Sequence, residues 1–313
     1  MYYFIWNPAA GKGSAERALP FIESAMNERG LRYSLIKTEY PGHAEELAKA
    51  AAADTEARAV VAIGGDGTIL ETASGLAGAN VPMACIPLGN GNDFMSNFFD
   101  MRKFRSVEER TKRCLETLFS GKRQAVDMIA VNGGYALNIG NMGLDADVAD
   151  LASKLKLVFG SFSYIIAMVA SIFTYKPFDA DVTVDGKRTQ GRFTLIAACN
   201  GGQYGGGFLI APGARVDDGK LTLCLVDRMP RLKILVFFPF VLLGRHTFLK
   251  EVHFIECGHA DVEYKGAAKM CLDGNIGQRE GPVSFELLPA ALEMIVDGGG
   301  ELNKVKRKYP GGI

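Results

Sequence analysis

The chain of 313 residues is 48% hydrophobic and 22% charged, long enough for one large domain or two ordinary ones, each with a proper core. Lysine plus arginine equals aspartate plus glutamate at 35 each, so no global field draws in nucleic acid. Six cysteines (Cys85, Cys114, Cys199, Cys224, Cys257, Cys271) stand far apart with no CxxC pair, which argues against zinc or a disulfide framework and for buried cytosolic thiols.

Met1–Asn7 carries neither a basic leader nor a long apolar stretch, and no run reaches the roughly 18–20 apolar residues of a membrane span, so a cytoplasmic protein is expected. Strand and helix signals then alternate. Tyr2–Trp6 is predicted as a short strand, and Ala15–Arg29 as a helix from the spacing of Leu19, Ile22 and Met26. Strand Arg32–Thr38, the alanine-rich helix His43–Ala53, strand Ala59–Ile63, helix Thr68–Leu76 and strand Met83–Pro87 follow. Such alternation implies right-handed crossovers and a parallel sheet, with ligands beyond the C-terminal ends of its strands. After about residue 125 short alternating runs recur with turn signals between them: Asp181–Val184, Phe193–Cys199, Leu221–Val226, Val252–Cys257, Asp261–Tyr264, Lys269–Leu272 and Val283–Leu288. They predict an antiparallel sandwich or distorted barrel, interrupted by helices over Val148–Lys176 and Pro230–Phe248.

Three loops at the expected ligand edge carry unusual chemistry. Gly64-Gly65-Asp66-Gly67-Thr68 joins a buried strand to a helix that starts Ile69-Leu70. Glycines let backbone N–H groups close on an anion, and the helix offers the positive end of its dipole. Asp66 adds a charge able to hold Mg²⁺, and Thr68 could cap the helix or bond a phosphate oxygen. Asn7-Pro8-Ala9-Ala10-Gly11-Lys12-Gly13-Ser14 is not a Walker A loop, because Gly13 stands where Ser or Thr should follow Lys12, and Trp6 where the first glycine should be. It remains a glycine-rich turn suited to phosphate. Pro87–Phe94 supplies a third loop rich in Gly and Asn at the same edge.

In the second half, Asp217-Asp218-Gly219 on a turn reads first as a solvated hairpin entry and second as half of a hard-cation site. Leu272-Asp273-Gly274-Asn275 reads as a tight hairpin turn, functional only if Asp273 faces a cleft. The stretches Phe162–Phe173 and Ile234–Leu243 are too short to span a bilayer, and buried helices are the plain expectation. The second, flanked by Arg231, Lys233, Arg245, His246 and Lys250 and carrying Phe237 and Phe238, also has the composition of an interfacial helix beside anionic headgroups. The four histidines, His43, His246, His253 and His259, form no ligand spacing and receive no chemistry.

Taken in order, these segments resemble the diacylglycerol kinase catalytic-domain family, specifically the bacterial soluble lipid kinases. The set runs Asn-Pro-x-x-Gly from Asn7, Gly-Gly-Asp-Gly-Thr-x-x-Glu from Gly64, and Pro-Leu-Gly-x-x-Asn-Asp-Phe from Pro87. It continues with Gly-x-Asp-Ala inside Asn138–Ala146, Gly205-Gly206-Gly207, Asp-Asp-Gly-x-Leu and Leu-Asp-Gly, and spans nearly the whole chain. The resemblance implies an N-terminal α/β domain (1–125) with a parallel sheet of the NAD kinase and phosphofructokinase type. It also implies a β-rich antiparallel sandwich for the lipid substrate (126–289) and a tail (290–313) that returns to the first domain. It implies ATP contacts at Asn7, Pro8, Ala9, Ala10, Gly11, Thr38, Gly64, Gly65, Asp66, Gly67, Thr68, Ile69, Leu70 and Asn90. Mg²⁺ would be bound by Asp218 with the main-chain carbonyls of Arg215 and Lys220. Asp273 would accept the proton of the acceptor hydroxyl, and Asp66 would serve the transfer.

Two departures stand out. Asn90 replaces the usual Thr, which implies weakened or altered nucleotide binding. Asn275 replaces the family's second carboxylate and cannot act as a base. The expected function is an ATP- and Mg²⁺-dependent lipid kinase acting on diacylglycerol or a related lipid at a membrane surface, with no nucleic-acid partner and a homodimer left open. An NAD kinase-like enzyme and a catalytically impaired nucleotide- or lipid-binding regulator are the alternatives.

Overall fold

A computed structural model describes residues 1–100, 103–159 and 163–297. The chain falls into two units: Met1–Asp127 with the segment that begins at Pro289, and Met128–Leu288.

In the first unit, β1 (Tyr2–Trp6), β2 (Tyr33–Lys37), β3 (Ala59–Gly64) and β4 (Met83–Pro87) pair in parallel in the order β4-β3-β1-β2. All residues of β3 and β4 are buried, the continuous apolar run of strands covered on both faces. On α1 (Ser14–Glu28), Ala15, Ala18, Ile22 and Met26 form one buried stripe at helical spacing, and they join Cys114, Leu115 and Leu118 of α4 (Val107–Ser120) over Phe4, Val61 and Ile86. Ser106 caps α4, its Oγ accepting the Glu109 N–H at 3.0 Å. The helices α2 (His43–Ala52) and α3 (Asp66–Leu76) approach closely at Gly75, where an added Cβ would lie 2.4 Å from the Glu45 carbonyl oxygen. Beyond β4 comes the latter part of β15 (Val283–Val296), in which Met294 pairs in parallel with Met83, and β15 pairs in turn with β5 (Lys122–Val131), which β6 (Gly134–Ala136) joins antiparallel.

The second unit is antiparallel. Its strands are β7 (Ile139–Gly143), β8 (Phe178–Val184), β9 (Lys187–Cys199), β10 (Leu221–Asp227), β11 (Val252–Cys257), β12 (His259–Tyr264), β13 (Ala267–Leu272) and β14 (Asn275–Glu280), with the start of β15. The pairing runs β14-β13-β7-β9-β8-β12-β15, and β10 lies between β9 and β11. Ile196, Phe193, Leu223, Val262 and Phe285 belong to one core cluster.

Several expectations are corrected here. The helix expected over Val148–Lys176 is two, α5 (Leu144–Phe159) and α6 (Ser163–Thr174), with Gly160 standing between them in the sequence. The helix expected over Pro230–Phe248 is α7 (Arg231–Leu242) followed by a short helical turn, because Gly244 at φ +57° ends it. α7 is not a buried helix: none of its residues is fully buried, and Leu232 is 73% exposed. In the stretch 162–173, whose first residue lies outside the described residues, Ala167, Met168 and Ile172 are buried while Phe173 is 61% exposed. α4, whose Cys114, Leu115 and Leu118 do stand at helical spacing, and the fully exposed β14, which has no apolar period, were not among the expected elements. No helix among the described residues is long and apolar enough to cross a membrane, and all six cysteines are free and buried.

Candidate functional site

Because β1, β3 and β4 lie side by side, the loops that follow them meet. Leu88 and Gly89 both donate their N–H groups to the Gly64 carbonyl, at 2.7 and 3.1 Å. Backbone approaches backbone so closely that a Cβ on Gly89 would lie 2.4 Å from Gly65 Cα, and one on Gly11 2.1 Å from the Leu88 carbonyl oxygen. Only glycine fits either place. Asn7 fixes the first loop: its Oδ1 accepts from the Ala9 N–H at 2.9 Å, and its Nδ2 donates to Thr68 Oγ1 at 3.1 Å. Thr68 is therefore not the helix cap. α3 begins at Asp66 with Gly65 as N-cap, a residue with no side chain to cap the helix, which leaves a positive helix end for an anion.

Asp66 sits at that end with its two oxygens in different states. Oδ2 accepts the Asn92 N–H at 2.7 Å, whereas Oδ1 is buried and accepts no hydrogen bond. Burial pushes the Asp66 carboxyl up from its ordinary value, against the pull of the Asn92, Phe94 and Asp93 N–H groups. The fit to nucleotide phosphates rests on this set: glycines where a Cβ would block approach, an uncapped helix start, and one orphaned carboxylate oxygen.

The other expected contacts are spread around the cradle. Pro8, Ala9, Ala10 and Gly11 form the turn after β1, with Gly11 at φ +58°. Thr38 is buried beyond β2, its N–H donating to the Trp6 carbonyl at 2.9 Å. Gly67 lies in the first turn of α3; Ile69 and Leu70 are buried in that helix and support the loop by packing. Asn90 is exposed at the tip of the third loop.

In the second unit, Asp273-Gly274 makes the two-residue turn between β13 and β14, with φ of +47° and +90° and Leu272 paired to Asn275. The Asp273 carboxylate folds back on the chain. It accepts the N–H groups of three successive residues: Leu137 at 2.5 Å, Asn138 at 3.1 and 3.2 Å, and Ile139 at 2.8 Å. That segment in turn holds the next loop, since the Asn138 carbonyl accepts from Asn200 and Gly201 and Asn200 Nδ2 donates to the Leu137 carbonyl at 2.7 Å. Asn275 is exposed at the start of β14. Asp218 is exposed on the turn before β10, its Oδ1 accepting the Lys220 N–H at 3.2 Å, while Asp217 pairs with Arg215 at 3.0 Å. No three His, Cys, Asp or Glu side chains among the described residues cluster for a metal. A cation at this turn would draw on main-chain carbonyls, phosphates and water, the usual surroundings of Mg²⁺.

Sequence reasoning missed two residues. Asn92, at φ +54°, bonds Asp66 and also clamps its own loop, Oδ1 to the Gly89 N–H and Nδ2 to the Gly89 carbonyl; its signal was an asparagine in a loop that needs positive φ. Asp145, in the first turn of α5, is buried, and its carboxylate accepts from Tyr164 Oη at 2.9 Å and from Asn141 Nδ2. Burial pushes it up to about 6, although bonds from Tyr204 and Tyr164 pull the other way. It stands inside a recognised motif, yet nothing in one sequence marks it as buried.

Comparison with known proteins adds an independent line. Residues 1–131 match the diacylglycerol kinase catalytic domain, and residues 138–296 match the YegS C-terminal NAD kinase beta sandwich-like domain. A diacylglycerol kinase of Mycobacterium tuberculosis is 28% identical over 296 residues, 92% of this chain and 93% of that one. One from Bacillus subtilis is 27% identical over 276 residues, 87% and 89% of the two chains. The solved structure of a diacylglycerol kinase from Bacillus anthracis has the same fold, with a TM-score of 0.73 at 22% identity over 95% of this chain and 97% of that one.

Proposed function

The chain belongs to the diacylglycerol kinase catalytic-domain family, a family of lipid kinases, and from that premise we propose that it transfers the γ-phosphoryl group of ATP to the hydroxyl of diacylglycerol or a related lipid. The observation that carries this reading is the cradle of the first unit, where glycine backbones meet beneath an uncapped helix start and beside the bare oxygen of Asp66.

Phosphoryl transfer depends chiefly on positioning and on stabilising charge. The N–H groups at the start of α3 and the Gly64–Gly67 backbone bind phosphate oxygens, and Asn7 holds Thr68 against the first loop. Asp66 takes the acceptor's proton: its Oδ1 has no partner, and burial raises its affinity for one. Asp273, with both oxygens engaged by backbone N–H groups, acts by positioning the 137–139 loop. In the second unit Asp218, with the carbonyls of Arg215 and Lys220, would hold Mg²⁺, which when bound neutralises phosphate charge.

The acceptor is met at a membrane surface by a cytoplasmic enzyme. α7 supports this, with Leu232, Val236, Leu243 and Phe248 exposed beside Arg231, Arg245 and Lys250. Pelleting with anionic vesicles at low salt, reduced at high salt, is the expected behaviour, and no pelleting at either salt would reject the contact. The decisive experiment incubates the protein with γ-labelled ATP, Mg²⁺ and a bacterial lipid extract. Label in the organic phase is expected; ATP binding with no labelled lipid would overturn the kinase reading.

A further inference from the structure

Arg110, in the first turn of α4, reaches the C-terminal end of β4, where its Nη1 donates to the Pro87 carbonyl at 2.9 Å. Pro87 is the residue from which the third loop of the cradle departs. Its peptide continues a chain of bonds: the Leu88 N–H donates to the Gly64 carbonyl at 2.7 Å, and the Gly64–Gly65 peptide belongs to the cradle itself. A positive charge on the Pro87 carbonyl therefore polarises two peptide units in series. Each makes the next N–H a stronger donor, toward the place where phosphate oxygens bind.

That charge has no local counterpart. Among the described residues no carboxylate pairs with Arg110, although Glu108 and Glu109 directly precede it. Glu108 pairs with Lys112 at 2.7 Å, and Glu109 accepts the Arg105 N–H at 3.0 Å. Nε is buried and without a hydrogen-bond partner, and the Phe104 ring lies 5.7 Å from the guanidinium carbon. Burial lowers the arginine's pKa from its ordinary value, yet a guanidinium stays charged at neutral pH. Its place near the start of a helix sets it against the positive end of the dipole. A half-buried cation with no acid beside it is unfavourable, and an anion bound nearby offsets that.

We propose that Arg110 is a positioning residue of the cradle: it fixes the third loop through the Pro87 carbonyl, and the triphosphate of the nucleotide is the anion that matches its charge. The choice of ligand rests on the kinase reading above.

The test measures the affinity of the full-length protein for AMP, ADP, ATP and inorganic tripolyphosphate by calorimetry, each variant first checked for folding by circular dichroism. Arg110→Met removes both charge and donor; it should weaken ATP and tripolyphosphate about tenfold and AMP no more than about twofold, with ADP between. Arg110→Lys, which keeps the charge, should recover most of the loss, whereas Arg110→Gln, which keeps only an amide donor, should not. Lys112→Met removes one charge from an exposed position of the same helix and should leave all four ligands within about twofold of wild type. Should Arg110→Met fail to fold, the glutamine and lysine variants decide the outcome alone.

Unchanged ATP affinity in folded Arg110→Met or Arg110→Gln would overturn the proposal. So would an equal loss for AMP and ATP, the mark of a merely structural role, or a lysine variant as weak as the glutamine one. A wild-type protein that binds neither ATP nor tripolyphosphate would remove this inference and the nucleotide reading together. A loss graded by ligand charge, in a protein that phosphorylates no lipid, would support the inference while removing the kinase reading. Lipid phosphorylation with an unchanged KM for ATP in Arg110→Gln would do the reverse.

Discussion

Asp66 and Asp273 each follow a strand and precede a glycine, yet the fold uses them in opposite ways. Asp66 keeps one oxygen bare at a helix start, while Asp273 commits both oxygens to three consecutive N–H groups. A carboxylate with a bare, buried oxygen is poised to take a proton or a cation; one saturated by backbone donors is a clamp. On the proposed reading, the same residue in similar local sequence does chemistry in one unit and scaffolding in the other.

Substitutions sharpen or break that contrast. The largest effect is expected from Asp66→Asn, which keeps the shape and removes the proton acceptor: kcat should fall ~10²–10⁴-fold with little change in melting temperature. Wild-type turnover in that variant would end the assignment. Asp273→Ala should instead unfold more easily, by about 3 kcal/mol in denaturant titration, because buried N–H groups lose their partner. Hydrogen exchange should quicken at residues 137–139. A protein with unaltered stability and no activity would return Asp273 to the role of base.

Asp145 tests the second unit by pH. Its folded pKa of about 6 lies above the ordinary 3.8, so the folded state binds the extra proton. The stabilisation is complete below the unfolded value and is lost as pH rises through about 6. Between pH 4 and pH 7 wild type should lose about 2 kcal/mol relative to Asp145→Asn, measured by denaturant midpoints at the two values. A flat difference would mean the carboxyl does not titrate there. Gly89→Ala, which drives a methyl into the Gly65 backbone, should weaken ATP binding roughly 10–100-fold. The smallest change is Ser106→Ala, which removes the α4 cap away from either aspartate and should lower stability by about 1 kcal/mol with kcat intact.

The legibility of the sequence divides along the same line. The cradle is built from contiguous backbone, so its demands appear as Gly64–Thr68 and Pro87–Phe94 in one stretch each. The parallel sheet was legible for a related reason, since β3 and β4 are buried end to end. An apolar pocket of the second unit gathers Asp145, Thr194, Phe208, α7 and His246 from separate elements, each unremarkable in its own neighbourhood. His246 in particular reads as one of four unclustered histidines until its ring is seen against Ile210. The Asp-Gly turn at 273 was legible as a turn, but the destination of its carboxylate depends on a pairing 135 residues away in sequence.

The last strand bears on how the protein is made. The first unit is not a continuous stretch of chain: the strand beside β4 is the end of β15, where Met294 pairs with Met83. On the ribosome, at about 5–20 residues per second, residue 294 follows residue 83 by roughly 10–40 s. Throughout that interval the nascent sheet has β4 as an open edge, ready to pair with another strand. A gene cut between the units would leave that edge permanently bare, and the excised N-terminal piece is a natural client for chaperones.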